Sequence, residues 1–341
     1  MSRTLKNKRI LVIGGCGFMG SNFIRYLLDR VPTARVTNLD LLTYAANPEN
    51  LQGLPKKHYA LVRGDIVNGK LLTKLMRSAD MIINFAAETH VDRSIHGSTD
   101  AFIHTNVEGA HSLLEALRQS PHIELAIHIS TDEVWGDLPL GSKLRFTESS
   151  PFKPSSPYAA SKAAGDLFVR AYVRTYKLPI LTTHSTNNIG PRQYPEKLIP
   201  FFITRAARGL PLPLYGDGRH VRDWLHVDDH SAAVLTLLMK GSAGEEYAIS
   251  NGGKEYNNTM IARRILTALQ KPANLIHFVA DRPGHDRRYA VSSKKLRSLG
   301  WKPRYSVEQA LAETIRWYRT NPLWITRALK RTKRLNPHIA L

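Results

Sequence analysis

Cysteine is almost missing: Cys16 is the only one in 341 residues. That excludes an internal disulfide framework and a cysteine-built structural zinc site, and it fits a reducing compartment. Long hydrophobic runs are missing too. No stretch approaches the about 18 consecutive apolar residues that a membrane-spanning helix needs. The opening MSRTLKNKRILVIGG has a basic run and then apolar residues, but these end in glycines with no small-residue cleavage pattern. A first strand explains it better than a signal peptide, and the expectation is a cytoplasmic protein. Internal repeats and low-complexity segments are absent. Acidic residues are scarce beside basic ones, with Asp+Glu 28 against Lys+Arg 48 and a formal net charge of +20. From Thr314 to Leu341 there is no carboxylate side chain, while Arg327, Lys330, Arg331, Lys333 and Arg334 cluster. A solvated basic surface is the plain reading. Contact of this tail with nucleic acid or an acidic membrane is the alternative.

What is present points to a large folded unit. The chain is 43% apolar and 22% charged, which allows a sizeable core and excludes global disorder. Short β-branched runs alternate with helical patterns through the first half. Arg9–Gly14, Ala34–Asp40, His58–Arg63, Met81–Ala86 and Glu124–Ser130 read as strands; Ser21–Leu28, Lys70–Met76, Val107–Arg118 and Lys162–Tyr176 read as helices. Such alternation predicts an α/β, Rossmann-type doubly wound parallel sheet with right-handed crossovers. The second half is broken by Pro179, Pro191, Pro195, Pro200, Pro211 and Pro213, and reads as a smaller, irregular α/β lobe. The expected division is 1–188 for a dinucleotide domain, with a return segment near 223–250, and 189–341 for a substrate lobe ending in the basic tail.

Gly14, Gly17 and Gly20 follow the first strand and open a helix, in GxxGxxG spacing. Glycines there permit a tight turn and close backbone approach to a pyrophosphate, with a helix N-terminus aimed at the anion. The strand before and the helix after give this otherwise weak signal its context. Asp40, twenty residues beyond Gly20, ends the second strand. A carboxylate there can accept from both ribose hydroxyls and would repel a 2′-phosphate, which favours NAD over NADP. Asp65 is placed to approach an adenine, and Phe85, Ala86 and Ala87 offer small residues and backbone to a flat cofactor.

Tyr158 and Lys162 are four apart at a helix start, on one face. Lysine can stabilise a tyrosinate there. Bringing a phenol from its usual pKa near 10 to about 7 takes roughly 4 kcal/mol, which an ammonium and a nicotinamide cation could provide. A tyrosinate can take a hydroxyl proton while hydride leaves to NAD. The fifth strand ends in Thr131, Asp132 and Glu133, where ligands of open parallel sheets bind. Hydride transfer needs a hydroxyl at this point but no carboxyl pair; one acid beside one base suits an elimination. The plainer alternative is that Asp132 or Glu133 caps a helix or ties a loop.

On these residues the chain resembles the extended short-chain dehydrogenase/reductase superfamily, and within it the nucleotide-sugar 4,6-dehydratases. The matching stretches are GGCGFMGSNF, NLDLLTYAANPENL, AAETHVDRSI, STDEVWGDL, SPYAASKAAGD, NNIGPRQYPEKLIP, PLPLYGDGRHVRDWLHVDDH and DRPGHDRRYA, from residue 14 to 290. The resemblance implies dehydration of a nucleoside-diphosphate glucose, with the dTDP sugar favoured over the UDP sugar, on one bound NAD. Tyr158 would be the base at the 4-hydroxyl, Glu133 the base at C5, and Asp132 the acid at the 6-hydroxyl, with Thr131 bonded to the 4-oxygen. It also implies cofactor contacts at Phe18, Met19, Leu41, Leu42, Thr43, Ile66, Thr105 and Asn188. Thr89, Asn187, Lys197, Leu198, Pro213, Leu214, Tyr215, Arg222, Asn257, Asp281, Arg282, Pro283, Gly284 and His285 would meet the substrate. Relatives of this type pair through two long helices, here Val107–Arg118 and Lys162–Tyr176, implying a homodimer.

Trp135 stands where tyrosine is usual in this pattern, and Ile189 where tyrosine is common; both are expected to flank the substrate cleft. The basic tail is also outside the pattern. His226 and His230 in HVDDH have i, i+4 spacing but lack the glutamate of HExxH, so no metal is expected. Cys16 is expected to be packed, not reactive. The competing readings are a 4-epimerase or decarboxylase, which the adjacent Asp132 and Glu133 argue against, and an idle NAD-binding or RNA-associated protein, which the catalytic set argues against.

Overall fold

The computed structural model describes residues 2–331; Lys333 and Arg334 of the basic cluster lie outside them. In chain order the strands are β1 (Arg9–Ile13), β2 (Arg35–Asp40), β3 (Tyr59–Arg63), β4 (Met81–Asn84), β5 (Leu125–Thr131), β6 (Ile180–Ser185), β7 (Asn187–Ile189), β8 (Leu212–Tyr215), β9 (Val221–Arg222), β10 (Trp224–His226), β11 (Glu246–Ile249), β12 (Tyr256–Asn257) and β13 (Ile276–Val279). The helices are α1 (Phe18–Arg30), α2 (Gly69–Met76), α3 (Val91–His96), α4 (Asp100–Phe102), α5 (Gly109–Arg118), α6 (Pro157–Tyr176), α7 (Leu198–Ala207), α8 (Val227–Lys240), α9 (Asn258–Ala268), α10 (Lys294–Ser298), α11 (Val307–Thr320) and α12 (Pro322–Lys330).

Seven parallel strands make the main sheet, in the order β11-β6-β5-β4-β1-β2-β3. It is the doubly wound sheet that the alternating pattern predicts. Its central strands are apolar on both faces because helices cover both. Successive residues of β1 serve opposite cores: Val12 packs with Phe23, Leu27 and Leu237 on the α1 and α8 side. Leu11 and Ile13 pack with Leu72, Leu113, Leu117 and Val169 on the α2, α5 and α6 side. The strand order reverses between β1 and β4, which opens a crevice at the carboxyl ends of the strands.

The second core is built from α7, α9 and α11, with Phe202, Leu214, Trp224, Ile261, Ile265 and Leu311 buried together. Three two-stranded pairings, β7 with β10, β8 with β13 and β9 with β12, hold the loops around it. The C-terminal α12 docks back on the chain: Trp324 Nε1 donates to Asn50 Oδ1 at 2.8 Å. Arg327 meets Glu49 at 2.9 Å, and Arg331 donates to the Ala46 carbonyl at 2.8 Å. Part of the basic cluster is thus engaged within the molecule. No helix among the described residues is long and apolar enough to cross a membrane.

Candidate active site

Two clefts are linked by the segment 85–92, which runs from one to the other. Phe85, Ala86, Ala87 and Glu88 line the first; Thr89, His90, Val91 and Asp92 line the second.

The first cleft is closed by the glycine turn. Gly14 has φ +76°, and a Cβ on it would sit 2.5 Å from the Ala86 nitrogen. A Cβ on Gly20 would sit 2.5 Å from the Gly14 carbonyl oxygen. Both glycines are therefore required by the turn itself. Gly17 differs: a Cβ there would approach only the Gly14 oxygen, at 3.4 Å, an ordinary contact. Its bare face borders the cleft and is the N-cap of α1, with no side-chain cap and no acidic residue in the first turn. This leaves the positive end of a helix open to an anion. Phe18 and Met19 occupy that first turn, half-buried.

Asp40 is fixed by main-chain donors, Oδ2 from Cys16 and Oδ1 from Leu42, each at 2.8 Å. Burial pushes its carboxyl up, and those donors pull it back. Leu41, Thr43, Asp65, Ile66 and Thr105 line the same cleft; Leu42 turns away onto the core with φ +62°. Cys16 is fully buried, and burial and then Asp40 push its thiol up to about 12, so it is an inert packed group. Asn188 lines neither cleft; its amide donates to Ser185 Oγ at 2.7 Å and to the Thr186 carbonyl at 2.9 Å.

Thr131 ends β5 and caps the short turn Asp132–Trp135, accepting from the Glu133 nitrogen at 3.3 Å. Thr131, Asp132, Tyr158 and Lys162 are buried and line neither cleft. The cap is the threonine, so neither carboxylate is used that way. Asp132 is 1% exposed; Oδ1 accepts from Thr131 Oγ1 at 3.3 Å, and Oδ2 has no partner among the described residues. Burial, then Glu133 and Asp223, push its carboxyl well above the ordinary range. Glu133 lines the second cleft. Burial raises it as well, but the guanidiniums of Arg282 and Arg222 pull it back. Two adjacent carboxyls thus sit in environments that separate their proton affinities.

Helix α6 brings the other pair. Ser156 caps it, accepting from the Ala159 nitrogen at 3.1 Å, and Pro157 fills the first turn. Tyr158 and Lys162 follow, both buried. Lys162 Nζ donates to the Ile129 carbonyl on β5 at 2.9 Å, and burial lowers its affinity for a proton. Burial pushes the Tyr158 phenol well above its usual range, Glu133 adds to this, and the Thr131 hydroxyl opposes it.

The second cleft gathers Thr89, Asn187, Lys197, Leu198, Pro213, Leu214, Tyr215, Arg222, Arg282 and His285. Lys197 Nζ donates to the Thr89 carbonyl at 2.6 Å and lies 3.3 Å from its hydroxyl. Arg222 donates to the Val221 and Asp286 carbonyls, each at 2.9 Å, with its guanidinium over the Tyr289 ring at 4.2 Å. Asn257 is not brought in: its side chain caps α9 by accepting from the Met260 nitrogen at 2.8 Å. Its neighbour Asn258 lines the cleft instead, with a buried Oδ1 that has no partner among the described residues. Asp281, Pro283 and Gly284 lie outside the lining; Asp281 holds His285 at 2.6 Å. Glu196, Phe201 and Tyr289 line the cleft and escaped the sequence reading. Glu196 and Tyr289 lie inside matched stretches and were open to detection.

Trp135 and Ile189 do not flank the substrate cleft. Trp135 is 1% exposed and packs beside Phe146 and His184, with ring centroids at 5.7 and 4.8 Å. Ile189 is wholly buried in the core of the second lobe.

The His226 and His230 pair serves packing: His226 caps α8 and stacks on Tyr305 at 4.0 Å, and His230 lies 6.3 Å from the Phe85 ring. Among the described residues, His220, Asp281 and His285 bring ligand-type atoms within 4.8 Å. The guanidiniums of Arg282, Arg222 and Arg287 act on His285 and oppose a cation there.

Against known proteins, the family model described as GDP-mannose 4,6 dehydratase matches residues 11–314. The chain belongs to this 4,6-dehydratase family. A dTDP-glucose 4,6-dehydratase of Xanthomonas campestris pv. campestris (strain B100) is 47% identical, over 95% of this chain and 97% of that one. A low-salt glycan biosynthesis protein of Haloferax volcanii is 48% identical over 91% and 98%. Among solved structures, a dTDP-glucose 4,6-dehydratase of Streptomyces venezuelae with NAD bound has a TM-score of 0.89 at 46% identity, covering 94% of this chain and 99% of that one. A Thermus thermophilus UDP-glucose 4-epimerase in complex with NAD reaches 0.83 at 29%, covering 92% and 99%. The dehydratase relatives are thus closer in sequence than this epimerase, although the fold is shared by both.

Proposed function

We propose that this member of the 4,6-dehydratase family converts dTDP-glucose to the 4-keto-6-deoxy sugar nucleotide. The observation that carries the reading is the carboxyl pair, buried Asp132 and half-buried Glu133, close to the Tyr158 phenol, with Glu133 lining the second cleft. An epimerisation needs only Tyr158, Lys162 and a hydroxyl. The first cleft suits NAD: the open N-terminus of α1 faces a pyrophosphate position, and the fixed carboxylate of Asp40 suits ribose hydroxyls. When bound, NAD supplies a reversible hydride acceptor and a positive charge beside the phenol.

The residues divide the proton work. Tyr158, as phenolate stabilised by Lys162, takes the proton of the sugar 4-hydroxyl as C4 is oxidised, and Thr131 holds the resulting oxygen. The 4-keto group acidifies C5–H. Glu133 removes that proton, its affinity tempered by Arg282 and Arg222. Asp132, kept protonated by burial and by its acidic neighbours, donates to the departing 6-hydroxyl, and water leaves. Reduction at C6 by the hydride taken from C4 and return of a proton to C5 by Glu133 complete the product. The proton that Tyr158 took from the 4-hydroxyl replaces, through solvent, the one that Asp132 lost to the departing water. Lys197, Asn187 and Arg222 suit the diphosphate and sugar, and Arg222 presents the charge that phosphate oxygens require. Pro213, Leu214 and Tyr215 make an apolar edge for the base.

A homodimer through α5 and α6 completes the reading. Leu167 and Phe168 on α6 are 54% and 39% exposed, and Ile103 nearby is 47% exposed. The test of activity is mass spectrometry of product from purified protein given dTDP-glucose or UDP-glucose without added NAD. Loss of one water, faster with the dTDP sugar, is expected. An unchanged mass with an altered sugar configuration would replace dehydration by epimerisation.

A further inference from the structure

Lys162 has a problem that its hydrogen bond to Ile129 does not solve. A buried ammonium loses hydration, and burial lowers its proton affinity. The opposing charge is Asp166, one turn further along the same face of α6 and 1% exposed. Asp166 Oδ2 accepts from Ser130 Oγ at 2.6 Å and from His184 Nε2 at 3.2 Å, and Oδ1 lies 3.4 Å from His128 Nε2. Lys162 and Asp166 therefore bracket Ile129 and Ser130, directly before Thr131.

The groups facing this pair come from every neighbouring strand. From β4, the Asn84 amide lies 3.3 Å from His128 Nδ1. From β11, Glu246 lies 3.8 Å from His184 Nδ1, and Arg170 of α6 holds it with bonds of 2.5 and 2.9 Å. Trp135 and Phe152 cover His184, with ring centroids at 4.8 and 5.8 Å. On the Tyr158 side lie Thr131, Asp132 and Glu133. Burial alone would raise Asp166, yet the two imidazoles outweigh it and hold the carboxyl well below its usual range. Burial, then Lys162, keeps the His128 imidazole below its ordinary value.

We propose that Asp166 is a positioning residue for the reaction: seated between His128, Ser130 and His184, it keeps Lys162 protonated and fixes the end of β5, so that Lys162 can hold Tyr158 as a phenolate. Trp135 seals this pocket. That gives a role to a residue which the sequence pattern placed in the substrate cleft. The proposal rests on the dehydratase reading for its catalytic consequence; the pairing of Lys162 with Asp166 rests on their i, i+4 spacing on α6 and on their bonds to the adjacent residues Ile129 and Ser130.

The test is Asp166→Asn, which keeps an acceptor and removes the charge. The phenolate absorbance of Tyr158, taken as the difference from Tyr158→Phe, should titrate about one pH unit or more higher. The acid limb of kcat should move the same way. Turnover at neutral pH should fall about 10- to 100-fold, with KM changed less than about 3-fold. Asp166→Glu should recover part of each shift. A merely structural Asp166 would lower thermal stability in both variants and leave the phenolate titration and the kcat limb in place, which would overturn the proposal. Should the asparagine variant not fold, NMR titration of Lys162 Nζ in the unaltered protein, assigned by its loss in Lys162→Met, decides. An ammonium across neutral pH is expected; a neutral amine at pH 7 overturns the proposal. If the unaltered protein fails to dehydrate dTDP-glucose, the proposed function falls while both titrations still read the role of Asp166.

Discussion

At the scale of single residues, the assignment of acid and base depends on neighbours, not on residue type. Burial raises both carboxyls; Glu133 and Asp223 then push Asp132 further up, whereas Arg282 and Arg222 pull Glu133 back. Asp132→Asn should therefore slow water loss by roughly 100-fold or more while solvent deuterium still exchanges into C5 of the bound sugar. Glu133→Gln should lose both exchange and dehydration. NMR of the sugar in deuterated buffer separates the two outcomes. Asp223 gives a second test. Burial raises its carboxyl from 3.8 to about 6 in the fold. The folded state then binds more protons than the unfolded chain between these values, so this contribution to stability is present at low pH and is lost as pH rises through about 6. Asp223→Asn should flatten that part of the profile of melting temperature against pH, by an amount on the order of 2–3 kcal/mol. An unchanged slope would show that Asp223 does not titrate there. The chemistry-bearing residues were legible because they sit at strand ends and helix starts with fixed spacing. Asn258 was not: the choice between it and Asn257 depends on which one caps α9, and sequence offers the same residue type at both positions.

At the scale of elements, the first half was legible almost throughout. Its strands begin and end within two residues of the apolar runs, because both faces of a parallel sheet are covered. Helix α6 starts at Pro157, earlier than the periodicity at Lys162 suggested, since the Ser156 cap and Pro157 set the start chemically. The helix read from Val107 begins instead as a π-helical stretch, Ile103–Glu108, which leaves no mark in apolar spacing. The broken second half hid α7, α9 and α11, although Pro200 falls in the first turn of α7 and neither α9 nor α11 contains a proline. The glycine turn yields the prediction of this scale. Gly20→Ala forces a Cβ to 2.5 Å from the Gly14 carbonyl, so the turn must open. The purified variant should release much less NAD on acid precipitation than the unaltered protein. Equal content would show that the turn does not shape the cofactor site.

At the scale of the whole molecule, charge and apolar exposure are unevenly used. The +20 net charge was visible in composition, but composition does not say where it goes. Arg327 and Arg331 turn out to fasten α12 to the loop carrying Glu49 and Ala46, whose neighbour Ala45 borders the first cleft with it. Exposed Leu167 and Phe168 are the opposite case, apolar side chains left at the surface of a helix. If the proposed dimer forms through α6, Leu167→Asp combined with Phe168→Asp should halve the mass read by light scattering; an unaltered mass would count against an interface there. The central claim is one internal oxidation and reduction coupled to water loss. It is tested most directly with dTDP-glucose deuterated at C4, followed by NMR of the product. The account predicts deuterium at C6 of a 4-keto-6-deoxy sugar. Deuterium remaining at C4 of an intact, inverted sugar would contradict it.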